Sequence, residues 1–192
     1  MIFVTVGTHE QPFDRLVKEI DHLKGENLIT GEVFVQTGYS LYKPEFCQYK
    51  DFIRFDEMIE RMAEAELVIT HGGTGSIMLV LYHQKIPMVM PRQKKYNEHI
   101  DDHQVLFCRT MEAKGKIMAV YETPDLGPAI EKYRRTIQFA EGQVSGSAEK
   151  PGRKPGDKSG LSEPGIPVNI QDRAAVFARR LNEICLELVR KK

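Results

Sequence analysis

Short apolar runs, each stopped by a glycine or proline, alternate along this chain with segments whose apolar residues recur at helical spacing. That alternation leaves few folds open. Residues 2–6 are a mostly β-branched or aromatic run ending at Gly7, which reads as a buried strand and a tight turn. Phe13, Leu16, Val17 and Ile20 then follow at i, i+3, i+4, i+7, with Pro12 in the tolerated first turn. The unit repeats. Strands are predicted at 33–36, 52–55, 67–70, 88–90 and 117–120. Helices are predicted after Asp56 as a cap (Met58, Ile59, Met62, Ala63 on one side), over 76–82, over about 100–111, and around Leu126, Ala129, Ile130 and Tyr133. Strands that are apolar on both faces and alternate with helices predict an α/β fold. The expected architecture is a doubly wound, Rossmann-like parallel sheet covered on both sides. Ligands of such sheets sit beyond the carboxyl ends of the strands, so the loops at 7–12, 36–44, 71–75 and 91–104 are where function is expected.

Composition narrows the class. Lys plus Arg number 27 and Asp plus Glu 27, and a balanced chain of this kind is not expected to bind nucleic acid. The N-terminal apolar run is too short for a secretory signal, and no stretch approaches the ~18–20 apolar residues that span a bilayer. Cys47, Cys108 and Cys185 are far apart and form no CxxC pair, which predicts reduced thiols in a cytoplasmic, soluble protein. Three segments are expected: an α/β domain over 1–140, a flexible linker over 141–167, and a helix over 168–192 that packs back on the domain. Within the linker, residues 142–165 hold six Gly, three Pro and four Ser, too little apolar surface for a core.

Three loops carry groups suited to chemistry. In Thr70-His71-Gly72-Gly73-Thr74-Gly75-Ser76 the glycines admit a ligand close to the backbone. The helix that starts there aims free N–H groups and its positive dipole end at that space, an anion site fit for a diphosphate. The plain alternative is a turn made only for tight helix–sheet packing. The spacing is neither a dinucleotide fingerprint nor a Walker A loop. The segment from Pro91 to Gln104 supplies Arg92, Lys94 and Lys95 as phosphate counter-charges. It also supplies Glu98, Asp102, His103 and Gln104 as partners for sugar hydroxyls, against the alternative of a solvated loop. His99 and His103 are i, i+4, but there is no H-E-x-x-H pattern and no third ligand is evident in the sequence, so no metal is expected. His9, in Gly7-Thr8-His9-Glu10-Gln11-Pro12-Phe13, is the general-base candidate of this chain; an orienting contact or a plain helix N-terminal residue are the other readings.

Three blocks resemble one family: Val4 to Asp14, Ile69 to Ser76, and Val89 to Gln104. They are similar to the PssE-type glycosyltransferase subunits of bacterial capsule and exopolysaccharide synthesis. More distantly they are similar to the carboxyl-terminal domain of the peptidoglycan transferase MurG and to the cytosolic subunit of the dolichol-linked N-acetylglucosaminyltransferase. The resemblance implies the carboxyl-terminal, donor-binding half of a GT-B glycosyltransferase cut into two chains. A membrane-anchored PssD-type partner would supply the acceptor half, with a lipid-diphosphate-linked sugar as acceptor. The donor would be a UDP-sugar, galactose or glucuronic acid first, with no cofactor or metal. Location would be cytoplasmic, at the inner face of the membrane through the partner. Carried over by motif, diphosphate contacts fall on His71, Gly72, Gly73, Thr74, Gly75, Ser76 and Arg92. Sugar contacts fall on Glu98, His99, Asp102, His103 and Gln104. One departure is Leu79, which stands where the distant relatives carry an acid for the ribose. Two other classes remain at this stage: a non-catalytic subunit that stabilises such a transferase, and a doubly wound nucleotide enzyme such as an oxidoreductase.

Overall fold

The computed structural model of the chain describes residues 1–144. Six parallel strands form one sheet in the order β3-β2-β1-β4-β5-β6. They are β1 (Ile2–Thr5), β2 (Val33–Gln36), β3 (Gln48–Lys50), β4 (Leu67–Thr70), β5 (Met88–Val89) and β6 (Met118–Ala119). The helices between and after them are α1 (Asp14–Gly25), α2 (Phe55–Glu64), α3 (Thr74–Tyr82), α4 (His103–Ala113) and α5 (Leu126–Val144). The doubly wound fold expected from the apolar alternation is therefore present. Every residue of β1, β2 and β4 is buried, and since neighbours in a strand point to opposite faces, both faces of the sheet's centre are covered.

The chain winds outward from β1 through β2 to β3, then returns to the other side of β1 as β4. The gap between the carboxyl ends of β1 and β4 is thus the topological switch point, where such folds open a crevice. β1 pairs with β4 residue by residue from Ile2 with Leu67 to Thr5 with Thr70. The loops beginning at Val6 and His71 consequently leave the sheet side by side, and the His71 N–H bonds Thr5 O at 3.3 Å.

Two compact units divide the chain, Met1–Lys132 and Tyr133–Lys192. The first contains the whole sheet. Of the second, the described part is the helical run to Val144. Residues 141–144 of the expected linker belong to α5; the rest of the expected linker over 141–167 and the expected helix over 168–192 lie outside the described residues. No described helix is long and apolar enough to cross a membrane.

Three local expectations are corrected. The strand foreseen at 52–55 is instead Gln48–Lys50, whose side chains are all exposed because it is the sheet's edge. Phe52 and Phe55, which made 52–55 look buried, are 48% and 52% exposed. Asp56 does not cap α2: the cap position is Arg54, with no side-chain bond, and Asp56 sits in the first turn, accepting from Arg54 Nε and Glu57 N. The helix expected from residue 100 begins at His103.

A buried carboxylate that the sequence did not flag shapes the loop between β2 and β3. Asp21, fully buried on α1, accepts from Tyr42 Oη at 2.7 Å and from the backbone N–H groups of Glu45 (2.8 Å), Phe46 (2.8 Å) and Cys47 (3.0 Å). Burial alone would raise its pKa, but these hydrogen bonds together hold it below the ordinary carboxylate value. One turn earlier Asp14 accepts from Leu41 N and Tyr42 N. Cys47 and Cys108 are free and buried, and burial foremost pushes both thiols up to about 12, so neither is a nucleophile. Asp21→Ala would leave four donors without their acceptor, the Cys47 N–H among them buried. A loss of roughly 3 kcal/mol in a urea titration is expected; an unchanged midpoint would show that the loop is held by other contacts.

Candidate functional site

The site begins with a hydrophobic helix that shows solvent little more than its first turn. Ile77, Met78, Leu79 and Val80 of α3 are buried, while Thr74 and Gly75 are exposed. The cap residue Gly73 offers no side-chain oxygen to the first turn. Among the described residues none accepts from the N–H groups of Thr74, Gly75 or Ser76. These are the orphan donors of a helix N-terminus, open to solvent and backed by the dipole's positive end. A Cβ on Gly75 would meet nothing within 4 Å, so internal packing does not explain this glycine. Leu79 is buried in the core and does not reach this space.

The other glycines are explained from within. A Cβ on Gly7 or on Gly73 would collide with the His71 ring, so the imidazole is held between two glycine backbones. Gly7 also needs its freedom for a φ of 77°. Burial first, then the neighbouring Arg92 guanidinium, drives the His71 pKa down to about 4. His71 is therefore a neutral ring beneath the glycine loop. A Cβ on Gly72 would come within 2.8 Å of Gln104 Cβ and 3.1 Å of Pro91 Cβ, so this glycine admits the second segment against the first.

That second segment divides into an inner and an outer layer. Arg92 is fully buried; its Nη1 donates to Gln11 O (2.6 Å), Pro12 O (3.4 Å) and Glu98 O (3.1 Å), and its Nη2 to Val6 O (2.9 Å). The guanidinium also lies 4.8 Å over the Phe13 ring. Burial lowers its pKa to about 10, which leaves it charged at neutral pH. The two Nη atoms of Arg92 are turned to these four carbonyls, and its buried Nε, which has no partner, is the guanidinium nitrogen left for a further contact. Glu98 is also buried. Its carboxylate accepts from Arg15 Nε (2.8 Å), Arg15 Nη2 (2.9 Å) and Gln93 N (3.0 Å), which does not fit a sugar contact. Gln104 is buried as a brace, its Oε1 accepting from Arg92 N at 3.1 Å.

The outer layer holds the rest. Asp102 is exposed and accepts from Lys94 N. Lys95 and Tyr96 are tied to Glu122. His9, His99 and His103 form an edge-to-face row, with ring centroids 4.5 Å and 4.6 Å apart. His9 Nδ1 accepts from Gln11 N at 3.2 Å. In the neutral ring the proton is then on Nε2, so His9 presents a donor, which favours an orienting contact over a general base.

The structure thus brings together the β1 loop, the glycine loop and the second segment, as the sequence spacing implied. It adds two residues missed there. Arg15 clamps Glu98 and also donates to Pro91 O and Tyr121 O. Asp101 touches His103 and His99. Arg15 gave no signal beyond a charge on the polar side of an amphipathic helix.

The exposed, unpartnered first turn of α3 thus stands at the switch point of a doubly wound sheet, beside the loops that leave the carboxyl ends of its strands. The chain belongs to the glycosyltransferase family 28 C-terminal domain family, whose model matches residues 1–147. Among solved structures it is similar to the glycotransferase of kitacinnamycin, at 16% identity and a TM-score of 0.55, over 76% of this chain and 37% of that one. The glycosyltransferase SnogD from Streptomyces nogalater also matches, at 17% identity and a TM-score of 0.43, over 62% of this chain and 30% of that one. This chain spans about a third of the length of these structures. No curated protein matches.

A neutral His71 makes stability depend on pH. Its folded pKa lies below the ordinary histidine value, so its contribution is complete above about 6.5 and is lost as pH falls toward 4, where only the unfolded chain binds the proton. Between pH 7 and pH 5 the loss is about 2 kcal/mol. His71→Gln should reduce the measured pH slope of the urea midpoint by that amount, whatever its stability at pH 7; an unaltered slope would mean that the ring protonates in place.

Proposed function

We propose that this chain is the donor-binding subunit of a two-component, UDP-sugar-dependent glycosyltransferase of the PssE type, acting in bacterial capsule or exopolysaccharide synthesis. The observation that carries the reading is the exposed, uncapped first turn of α3 in a family 28 C-terminal domain. A UDP diphosphate is the anion that suits it. The N–H groups of Thr74, Gly75 and Ser76 and the Thr74 and Ser76 hydroxyls take phosphate oxygens, and the buried Arg92 adds positive potential from below. His9, His99, Asp102 and His103 form the rim against which the sugar lies, galactose or glucuronic acid first. Arg92, Glu98 and Gln104 act from behind, by fixing those loops.

The reaction is a single displacement with inversion. The acceptor is a lipid-diphosphate-linked sugar held by a membrane-anchored PssD-type partner, which draws this chain to the inner face of the membrane and supplies the base. The bond from the anomeric carbon to the UDP oxygen breaks as the acceptor oxygen attacks from the opposite face. Charge then builds on the leaving diphosphate, where preorganised backbone donors stabilise it most.

UDP should raise the unfolding temperature of the full chain, equivalent to about 2.7 kcal/mol at a hundredfold excess over its dissociation constant; NAD should not. Gly75→Asp places a carboxylate in open space at the helix N-terminus. It should leave the ligand-free melting temperature unchanged or slightly higher, yet weaken UDP binding at least a hundredfold by calorimetry. Unchanged UDP affinity in that variant would remove α3 as the diphosphate site. In the complex with the partner, loss of transfer by His103→Ala separates a donor-binding subunit from one that only stabilises its partner, which would tolerate the change.

A further inference from the structure

The sequence offers His99 and His103 four residues apart with no third ligand, and the structure supplies one. His99 lies ahead of α4, not on it, in a turn that also presents Asp101. One ligand atom from each of His99, Asp101 and His103 falls within 4.8 Å of the other two. Asp101 Oδ1 is 3.3 Å from His99 Nδ1 and 2.5 Å from His103 Nδ1. Ligands sharing one tetrahedral ion are separated by about 3.4 Å, given metal–ligand bonds of ~2.0–2.2 Å, so closing the set needs side-chain shifts of several tenths of an ångström.

We propose that His99, Asp101 and His103 bind a divalent transition-metal ion of the zinc class at the rim of the glycine loop. Two imidazoles and one carboxylate are the donor set that borderline ions of this class prefer over magnesium or calcium. The rings are held for it. His99 is nearly buried, and its ring sits edge-on between His9 and His103, which restricts its orientation. Asp101 and His103 are more than half exposed, so the remaining coordination positions open to solvent. Three protein ligands and an open face describe an exchangeable site rather than a closed structural one. The inference does not depend on which nucleotide or sugar the chain binds.

The test uses the tag-free full chain and Co2+ alone, followed by absorption. One equivalent should bind and give visible d–d bands without a thiolate charge-transfer band, and Zn2+ should displace it. The double variant Asp101→Ala, His103→Ala alters two exposed side chains, so it should keep the parental far-UV circular dichroism while losing at least tenfold in Co2+ affinity. His99→Gln should lose a comparable factor. No saturable binding up to millimolar Co2+, or equal affinity in the double variant, overturns the proposal. Because no nucleotide is present, a negative result leaves the UDP titration above unaffected, and a positive one does not lend it support.

Discussion

Four backbone carbonyls converge on the buried Arg92 guanidinium, and the arrangement of the loops at the sheet's carboxyl edge depends on that convergence. Val6, Gln11 and Pro12 belong to the segment that follows β1, and Glu98 to the segment that follows β5. The Arg92 amide is in turn held by Gln104, the residue that abuts Gly72. The Arg92 side chain therefore joins two loops that are distant in sequence, and its amide, through Gln104, ties them to the glycine loop. Burying a charge is costly unless it is paired and hydrogen-bonded. Here the carbonyls provide the hydrogen bonds, and the Glu98 carboxylate opposes the loss of charge. Glu98 is itself clamped by Arg15, so two arginines and one carboxylate leave one net positive charge beneath the loops.

Burial first, and then the Arg92 charge beside it, keeps the His71 ring neutral. The positive potential above the glycine loop thus comes from Arg92 and the α3 dipole, neither of which changes ionisation near neutral pH. An anion held there by backbone N–H groups meets donors that need no proton uptake and little reorganisation.

The parts of the fold legible in the sequence were those under a strong periodic constraint. β1, β2 and β4 read as apolar runs because both sheet faces are covered. β3 escaped because an edge strand has no such requirement, and the aromatic residues at 52 and 55 imitated one. The glycine loop was legible through composition, since close backbone approach demands glycine at 7, 72 and 73 whatever the ligand. Polar residues carry less directional information. Arg92, Glu98 and Gln104 looked like ligand contacts in a polar loop, but whether such groups face inward or outward depends on partners such as Arg15 and Val6 O, more than 80 residues away for each.

The division into an inner and an outer layer has a consequence for specificity. The buried layer fixes backbone positions and leaves its side chains no free donors for a sugar, apart from the unpartnered Arg92 Nε and whatever Gln104 retains. Under the proposed function, discrimination among sugars rests on the outer row, where His9, His99, Asp101, Asp102 and His103 stand on short turns and at the start of α4. Substitutions there change what the rim recognises without disturbing the Arg92 network. Substitutions at Arg92, Glu98 or Arg15 shift every loop together, so they should reduce binding of all donors alike rather than exchange one for another.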